Sequence, residues 1–237
     1  MAKIDRRIHY IMGIDTETCN SLATEDDKLD LSQSLVYDIG WVITDKRGRI
    51  YKKRSFIIYE IFVQMRDVMA TAYYADKIPM YWEQIQSGQR RLVRFQTMYN
   101  IFWEDVKEYG IDSYFAHNAQ FDVKALNNTI RWVTKSKKRY FFPFNAEIWC
   151  TLKMSRQVIA NKKSYNEWCK HYEFLTKHKP PRSQLTAEVL YRFITGNVEF
   201  EESHTGLEDV LIETEILVYC FRQHKKMDKV LYPKRCA

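Results

Sequence analysis

Gly13-Ile14-Asp15-Thr16-Glu17-Thr18 follows an apolar run that begins at Ile8. Residues two apart on a strand point to the same face. Asp15 and Glu17 are therefore expected to converge at the end of a buried strand over residues 8–15. Two carboxylates side by side repel unless a cation lies between them. Such a pair is costly in a core and useful at a metal site. Its meaning depends on acids elsewhere in the chain.

Working outward, residues 34–44 and 50–59 are further β-prone runs, and Lys46-Arg47-Gly48-Arg49 punctuates them as a hairpin turn would. This predicts three antiparallel strands at the start. Residues 64–86 and 95–109 then read as helices, the second closed by Gly110. Residues 112–117 form a short strand, after which Asn118 is expected to cap a helix to about Thr134. The aromatic stretch 139–149 is β-like, residues 152–160 are helical, and 165–179 is basic and mostly helical, ending at Pro180-Pro181. Ser183 is expected to cap a helix to Thr195. A last helix starts near Gly206, the pivot of the loop before it, with the stripe Leu207, Val210, Leu211, Thr214, Leu217, Val218, Phe221. Strands followed by a strand–helix unit and then helices specify an α/β fold with a mixed sheet flanked by helices.

The chain has 237 residues, 46% of them hydrophobic and 15% aromatic, enough for a substantial core. With few Gly and Pro and no repeat, residues 1–237 are expected to form a single domain. Its core spans about 8–222, followed by a loosely packed basic tail over 223–237. The apolar runs fall short of the roughly 20 residues of a membrane span, and the charged start makes a poor signal peptide. Five scattered cysteines without a CxxC pair fit reduced thiols in the cytoplasm. A net charge of +7 suits a polyanionic partner. The positive charge clusters at residues 89–94, at 135–139, and at Lys177, Lys179 and Arg182; solvated faces are the plain alternative for each.

Two more acidic islands matter. Asp122 falls in the first turn of a helix, within His117-Asn118-Ala119-Gln120-Phe121-Asp122, and Asp209 falls in the first turn of the last helix, within His204-Thr205-Gly206-Leu207-Glu208-Asp209. Each alone is an ordinary helix-start acid. Together with Asp15 and Glu17 they supply four carboxylates, the donors that hard cations such as Mg²⁺ or Mn²⁺ prefer. Two such ions about 4 Å apart can clamp both oxygens of a phosphoryl displacement. Asp15 is the expected bridging ligand. His204, on a loop, can take a proton from water near neutral pH.

The ordered motifs Asp-x-Glu-Thr, His-Asn-x-x-Phe-Asp and His-x-x-x-x-Asp resemble those of the DEDDh (DnaQ-like, epsilon-subunit-like) 3′→5′ exonucleases, from about Ile8 to Tyr219. The resemblance implies a ribonuclease-H-like fold, two divalent cations, and hydrolysis from a free 3′ end to release nucleoside monophosphates. It implies that Asp15, Glu17, Asp122 and Asp209 are metal ligands and His204 the general base. Thr16, Thr18, Asn118 and Phe121 would contact or support the terminal nucleotide. Single-stranded DNA is expected ahead of RNA, because a basic standalone domain of this kind suits replication or recombination, with a polymerase or replication partner on a separate chain. The alternatives are a 3′→5′ exoribonuclease and a catalytically inactive binding or assembly module. Three departures bear on substrate choice: residues 64–94 are long and aromatic, Cys150 stands where the family often has Asp, and 164–182 is an apparent insertion. They would suit a phage-encoded nuclease acting in the host cytoplasm.

Rival sites are weaker. Cys150, Cys169, His171 and His178 fit no compact zinc knuckle, and Cys19 lacks a visible histidine partner. Tyr73, Tyr74 and Trp82 lie among basic residues and could stack on bases, a contact of about 1–3 kcal/mol.

Overall fold

The computed structural model describes residues 4–19, 22–23, 29–30, 32–70 and 72–232. Its strands are β1 (Ile11–Cys19), β2 (Leu22–Ala23), β3 (Leu29–Asp30), β4 (Leu35–Thr44), β5 (Lys52–Ile58), β6 (Arg91–Val93), β7 (Ser113–Ala116) and β8 (Glu147–Cys150). Its α-helices are α1 (Tyr59–Phe62), α2 (Arg66–Met69), α3 (Ile78–Gln86), α4 (Phe95–Tyr109), α5 (Gln120–Val133), α6 (Thr151–Val158), α7 (Lys163–His171), α8 (Ala187–Thr195) and α9 (Gly206–Arg222). The main sheet has the order β6-β5-β4-β1-β7-β8, and β2 pairs with β3 apart from it. As expected, β1, β4 and β5 are antiparallel, while β7 and β8 run parallel to β1.

Alternation along β1 sets the two layers. Met12 and Ile14 enter the cluster with Met98 and Phe102 of α4 and Leu126 and Ile130 of α5. Ile11 faces the opposite way, into the cluster with Met154, Leu190, Val210 and Ile216 from α6, α8 and α9. The parity of Ile11 continues through Gly13 to Asp15 and Glu17. These acids therefore share a face with α9, and Thr16 lies on the face of α5.

Several expectations need correction. The first strand does not end at Asp15; it continues to Cys19, with its register shifting between Glu17 and Thr18. The expected helix 64–86 is broken into α2, a 3₁₀ turn (Ala75–Lys77) and α3, and α3 begins where Pro79 falls in its first turn, the one helical place that tolerates proline. Asn118 is no cap: it sits at φ +59° and α5 starts without a side-chain cap. The β-like stretch 139–149 contributes only Glu147–Cys150, downstream of Pro143, which has no N–H for a ladder. Helix α7 stops at His171, and Ser183 pairs with Leu175 instead of capping; Thr186 caps α8, accepting from Val189 N. Part of the expected loose tail is docked: Cys150 N donates to Lys229 O (2.8 Å) and Leu231 N to Ile148 O (2.7 Å). Residues 233–237 lie outside the described residues. No described helix is long and apolar enough to cross a membrane.

Candidate active site

Close backbone contact brings α9 onto the acidic end of β1. A Cβ on Gly40 would overlap the backbone of Gly206 and Leu207, and one on Gly206 would lie 2.7 Å from Gly40 N and 3.0 Å from Asp15 O. Gly206 is thus a point of close approach more than a pivot; the left-handed residue of this loop is His204, at φ +49°. Asp38, opposite Glu17 on β4, locks the contact. Its Oδ2 accepts from Gly206 N (3.2 Å), Tyr81 Oη (2.9 Å) and Arg90 Nη1 (3.2 Å). Arg90 continues to Glu208 Oε2 (2.8 Å). It is only 6% exposed, so this member of the basic cluster 89–94 serves the interior, not solvent or a partner.

Asp15, Glu17 and Asp209 each place a carboxylate oxygen within 4.8 Å of the others. Glu202, His204 and Asp209 form a second such group. Asp209 belongs to both groups. Asp122 is buried on α5 and accepts from Thr16 Oγ1 (2.8 Å). No ion pair with Lys or Arg is formed by Asp15, Glu17, Asp122 or Asp209 among the described residues.

The electrostatics follow from that crowding. Burial, and then the charges of Glu213, Asp122, Asp209 and Glu17, hold Asp15 well above the usual carboxylate range. Burial and Asp209 do the same to Glu17. Burial raises Asp122 to about 7, and burial with Glu202 raises Asp209 to about 8. Burial, then Lys77, lowers His204 and favours its neutral form. The His204 ring stacks on Tyr74 with centroids 4.5 Å apart, and its Nδ1 lies 3.7 Å from Glu202 Oε2.

Four crowded carboxylates, two of them buried and two partly buried, with no Lys or Arg ion-pair partner among the described residues, fit the donor chemistry of a hard divalent cation. Glu213 adds to this fit. It is 2% exposed, Oε1 accepts from His117 N (2.8 Å), and Oε2 has no partner among the described residues. Sequence reading missed Glu213, although it lies one helical turn beyond Asp209 on one face of α9. It also missed Glu202, which carries no signal beyond its nearness to His204.

One cleft of about 1380 Å³ is lined by Asp15, Thr16, Glu17, Asn118, Phe121, Asp122, His204 and Asp209. Thr18 is buried and is not part of the lining. Tyr74 lines the cleft; Trp82 instead packs on Phe62, and Tyr73 is 81% exposed. No three of Cys150, Cys169, His171 and His178 converge as a ligand group.

No protein-family model matches the chain, and no curated protein matches it in sequence. Solved structures do share its fold. The nuclease domain of 3′hExo, a DEDDh family member bound to rAMP, is 16% identical, with a TM-score of 0.50 over 95% of this chain and 98% of that one. A 3′-exonuclease with 3′-end specific recognition of a histone mRNA stem-loop is 14% identical, with a TM-score of 0.56 over 97% and 72%. The zinc-bound complex of Escherichia coli exonuclease I with single-stranded DNA is 12% identical, with a TM-score of 0.55 over 92% and 42%. At these identities the likeness is one of fold. It is the ribonuclease-H-like fold of DEDDh exonucleases.

Proposed function

We propose that the chain is a DEDDh-type 3′→5′ exonuclease that removes nucleoside monophosphates from a free 3′ end. The observation that carries this reading is the convergence of Asp15, Glu17, Asp122 and Asp209, from β1, α5 and α9, on one cleft with His204. Two divalent cations, Mg²⁺ or Mn²⁺, held by the four carboxylates would offset their repulsion and stabilise charge on the scissile phosphate. His204 Nδ1 faces Glu202, which leaves Nε2 to take the proton from the attacking water. Attack at the last phosphodiester breaks the bond to the 3′ oxygen of the penultimate nucleotide. Asn118 and Phe121, on the cleft wall, would support the departing nucleotide, and Thr16 would hold Asp122. The reading takes residues 1–237 as one domain.

Single-stranded DNA is our first choice of substrate, on the net positive charge. Proteins of this fold include one bound to single-stranded DNA and one that recognises an mRNA stem-loop, so RNA is the direct competitor. A polymerase or replication protein would act as a separate partner. The test is release of labelled mononucleotide from matched 3′-labelled DNA and RNA oligomers, with Mg²⁺ or with chelator. Metal-dependent release supports the reading, and faster release from DNA supports the preference. No release from either, with the protein folded, would leave a binding module on an exonuclease fold.

A further inference from the structure

The cleft is larger than the carboxylate cluster requires. At about 1380 Å³ it exceeds the roughly 300–1,000 Å³ of ordinary small-ligand pockets. Away from the acids, its lining includes Arg156 of α6, Lys170 of α7, and Lys177 and Arg182 of the segment between α7 and α8. All four side chains are exposed, and among the described residues none pairs with a carboxylate. Three neighbouring cations on the same layer are paired, Lys153 with Asp228, Lys163 with Glu167 and Arg192 with Glu188, and Lys162 is held by Tyr219 Oη and Gln223 Oε1. The cleft is therefore bipolar, with an acidic floor and a basic wall.

The wall is braced. Leu175 bridges Ser183, Thr176 N donates to Arg182 O (2.8 Å) and Gln184 N donates to Phe174 O (3.0 Å). Ser183 Oγ donates to Asn166 Oδ1 (2.6 Å), and Tyr165 Oη donates to Gln184 O. His117 ties the wall to the floor. Its Nε2 donates to Leu185 O (2.8 Å), which as a carbonyl can only accept, and its Nδ1 accepts from Thr151 Oγ1 (2.9 Å). His117 and the next residue, Asn118, open the turn that presents Asp122. Lys177 and Arg182 thus sit on a pinned hairpin at a fixed place relative to the acids.

We propose that this wall is the track for the phosphates of a single nucleic-acid strand on the 5′ side of the nucleotide being removed, with Arg156, Lys170, Lys177 and Arg182 as its phosphate contacts. This assignment of direction rests on the exonuclease reading. The acidic floor repels a bare strand, so binding strength must come from elsewhere in the cleft, and the wall carries cations that no carboxylate of the described residues pairs with. Leu152, Leu175 and Leu185 in the same lining offer apolar surface to bases. A basic groove with sequence-tolerant base contacts is what unpaired strands require.

The test uses 5′-fluorescein-labelled oligothymidylates of two to twelve nucleotides, with Ca²⁺ in place of Mg²⁺, read by anisotropy across a salt series. Each phosphate contact adds about 0.7 to the slope of log K against log salt for a single strand. The double variant Lys177→Ala/Arg182→Ala is expected to lower that slope by about 1.4, to weaken twelve-nucleotide binding about tenfold, and to flatten the gain in affinity with length. Charge reversal, Lys177→Glu/Arg182→Glu, should weaken it further. Unchanged slope and affinity in folded variants, or no oligonucleotide binding by the wild type, would overturn the track. If the wild type releases no mononucleotide but both variants lose binding, the exonuclease reading fails and the track stands.

Discussion

Asp122→Asn separates a metal-site cluster from a structural one. The substitution removes one negative charge and keeps an acceptor for Thr16 Oγ1, now 2.8 Å away. Burial raises this carboxyl from 3.8 to about 7 in the metal-free fold. A group whose folded value is raised contributes stability that is fully present below its unfolded value and lost as pH rises through the folded one. The wild type therefore loses stability between about pH 4 and pH 7, and the Asn variant is spared that loss. At about 1.4 kcal/mol per pH unit the ceiling on the gain is about 4 kcal/mol above pH 8. Relaxation and water entry around the cluster bring the expected gain to about 2 kcal/mol, or ~4–8 °C in Tm for a chain of this size. The assay is thermal unfolding by circular dichroism in EDTA at pH 8.5 and pH 5. The variant should melt higher at pH 8.5, and its advantage should shrink by more than half at pH 5. In saturating Mg²⁺ the order should reverse, because the cation stabilises the intact ligand set by mass action. A variant no more stable than the wild type in EDTA at pH 8.5, or an advantage indifferent to pH, would refute the reasoning.

Further outcomes can be stated briefly. His204→Ala should lower kcat by about 10²–10⁴ while changing Mg²⁺ affinity little, read from rates across a metal titration; unchanged kinetics would remove His204 as the base. Gly40→Ala forces β4 from the start of α9, and should cost about 1–3 kcal/mol in denaturant melts together with most nuclease activity, since Asp209 moves with the helix. Asp105 has the opposite pH sign from Asp122. Burial would raise it, but hydrogen bonds from Arg54, Lys52 and Trp41 outweigh burial and hold it below its ordinary value. Its contribution is present above about pH 4 and lost as pH falls through the lowered value, so Asp105→Asn should cost about 2 kcal/mol at pH 7 and progressively less as the pH falls below about 4.

The acidic motifs were legible because strand parity and helix-start position are local. Asp15 and Glu17 had to share a face, and Asp122 and Asp209 had to lie in first turns. That Thr16 reaches back to Asp122 depends on which helix covers the other face of β1, a tertiary fact. Asp38, Arg90 and Glu208 illustrate the limit: three charged residues far apart in sequence form one internal network, and composition alone read Arg90 as surface charge. The aromatic segment 64–94 misled in a similar way. Its helical spacing is real, but α2 ends at Met69 and α3 starts only at Ile78 with Pro79 in its first turn, and tertiary packing sends Tyr74 to the cleft and Trp82 against Phe62. Glu213 could have been found by extending the face of Asp209 by one turn.

The most direct measurement is single-turnover release of mononucleotide from a 3′-labelled single strand, comparing the wild type with Asp15→Asn over a Mg²⁺ titration. The account predicts stepwise shortening from the 3′ end by the wild type, no release in chelator, and at least a thousandfold slower release by a folded Asp15→Asn protein, roughly 4 kcal/mol of lost transition-state stabilisation. Equal rates for the two proteins, or release that persists in chelator, would contradict it.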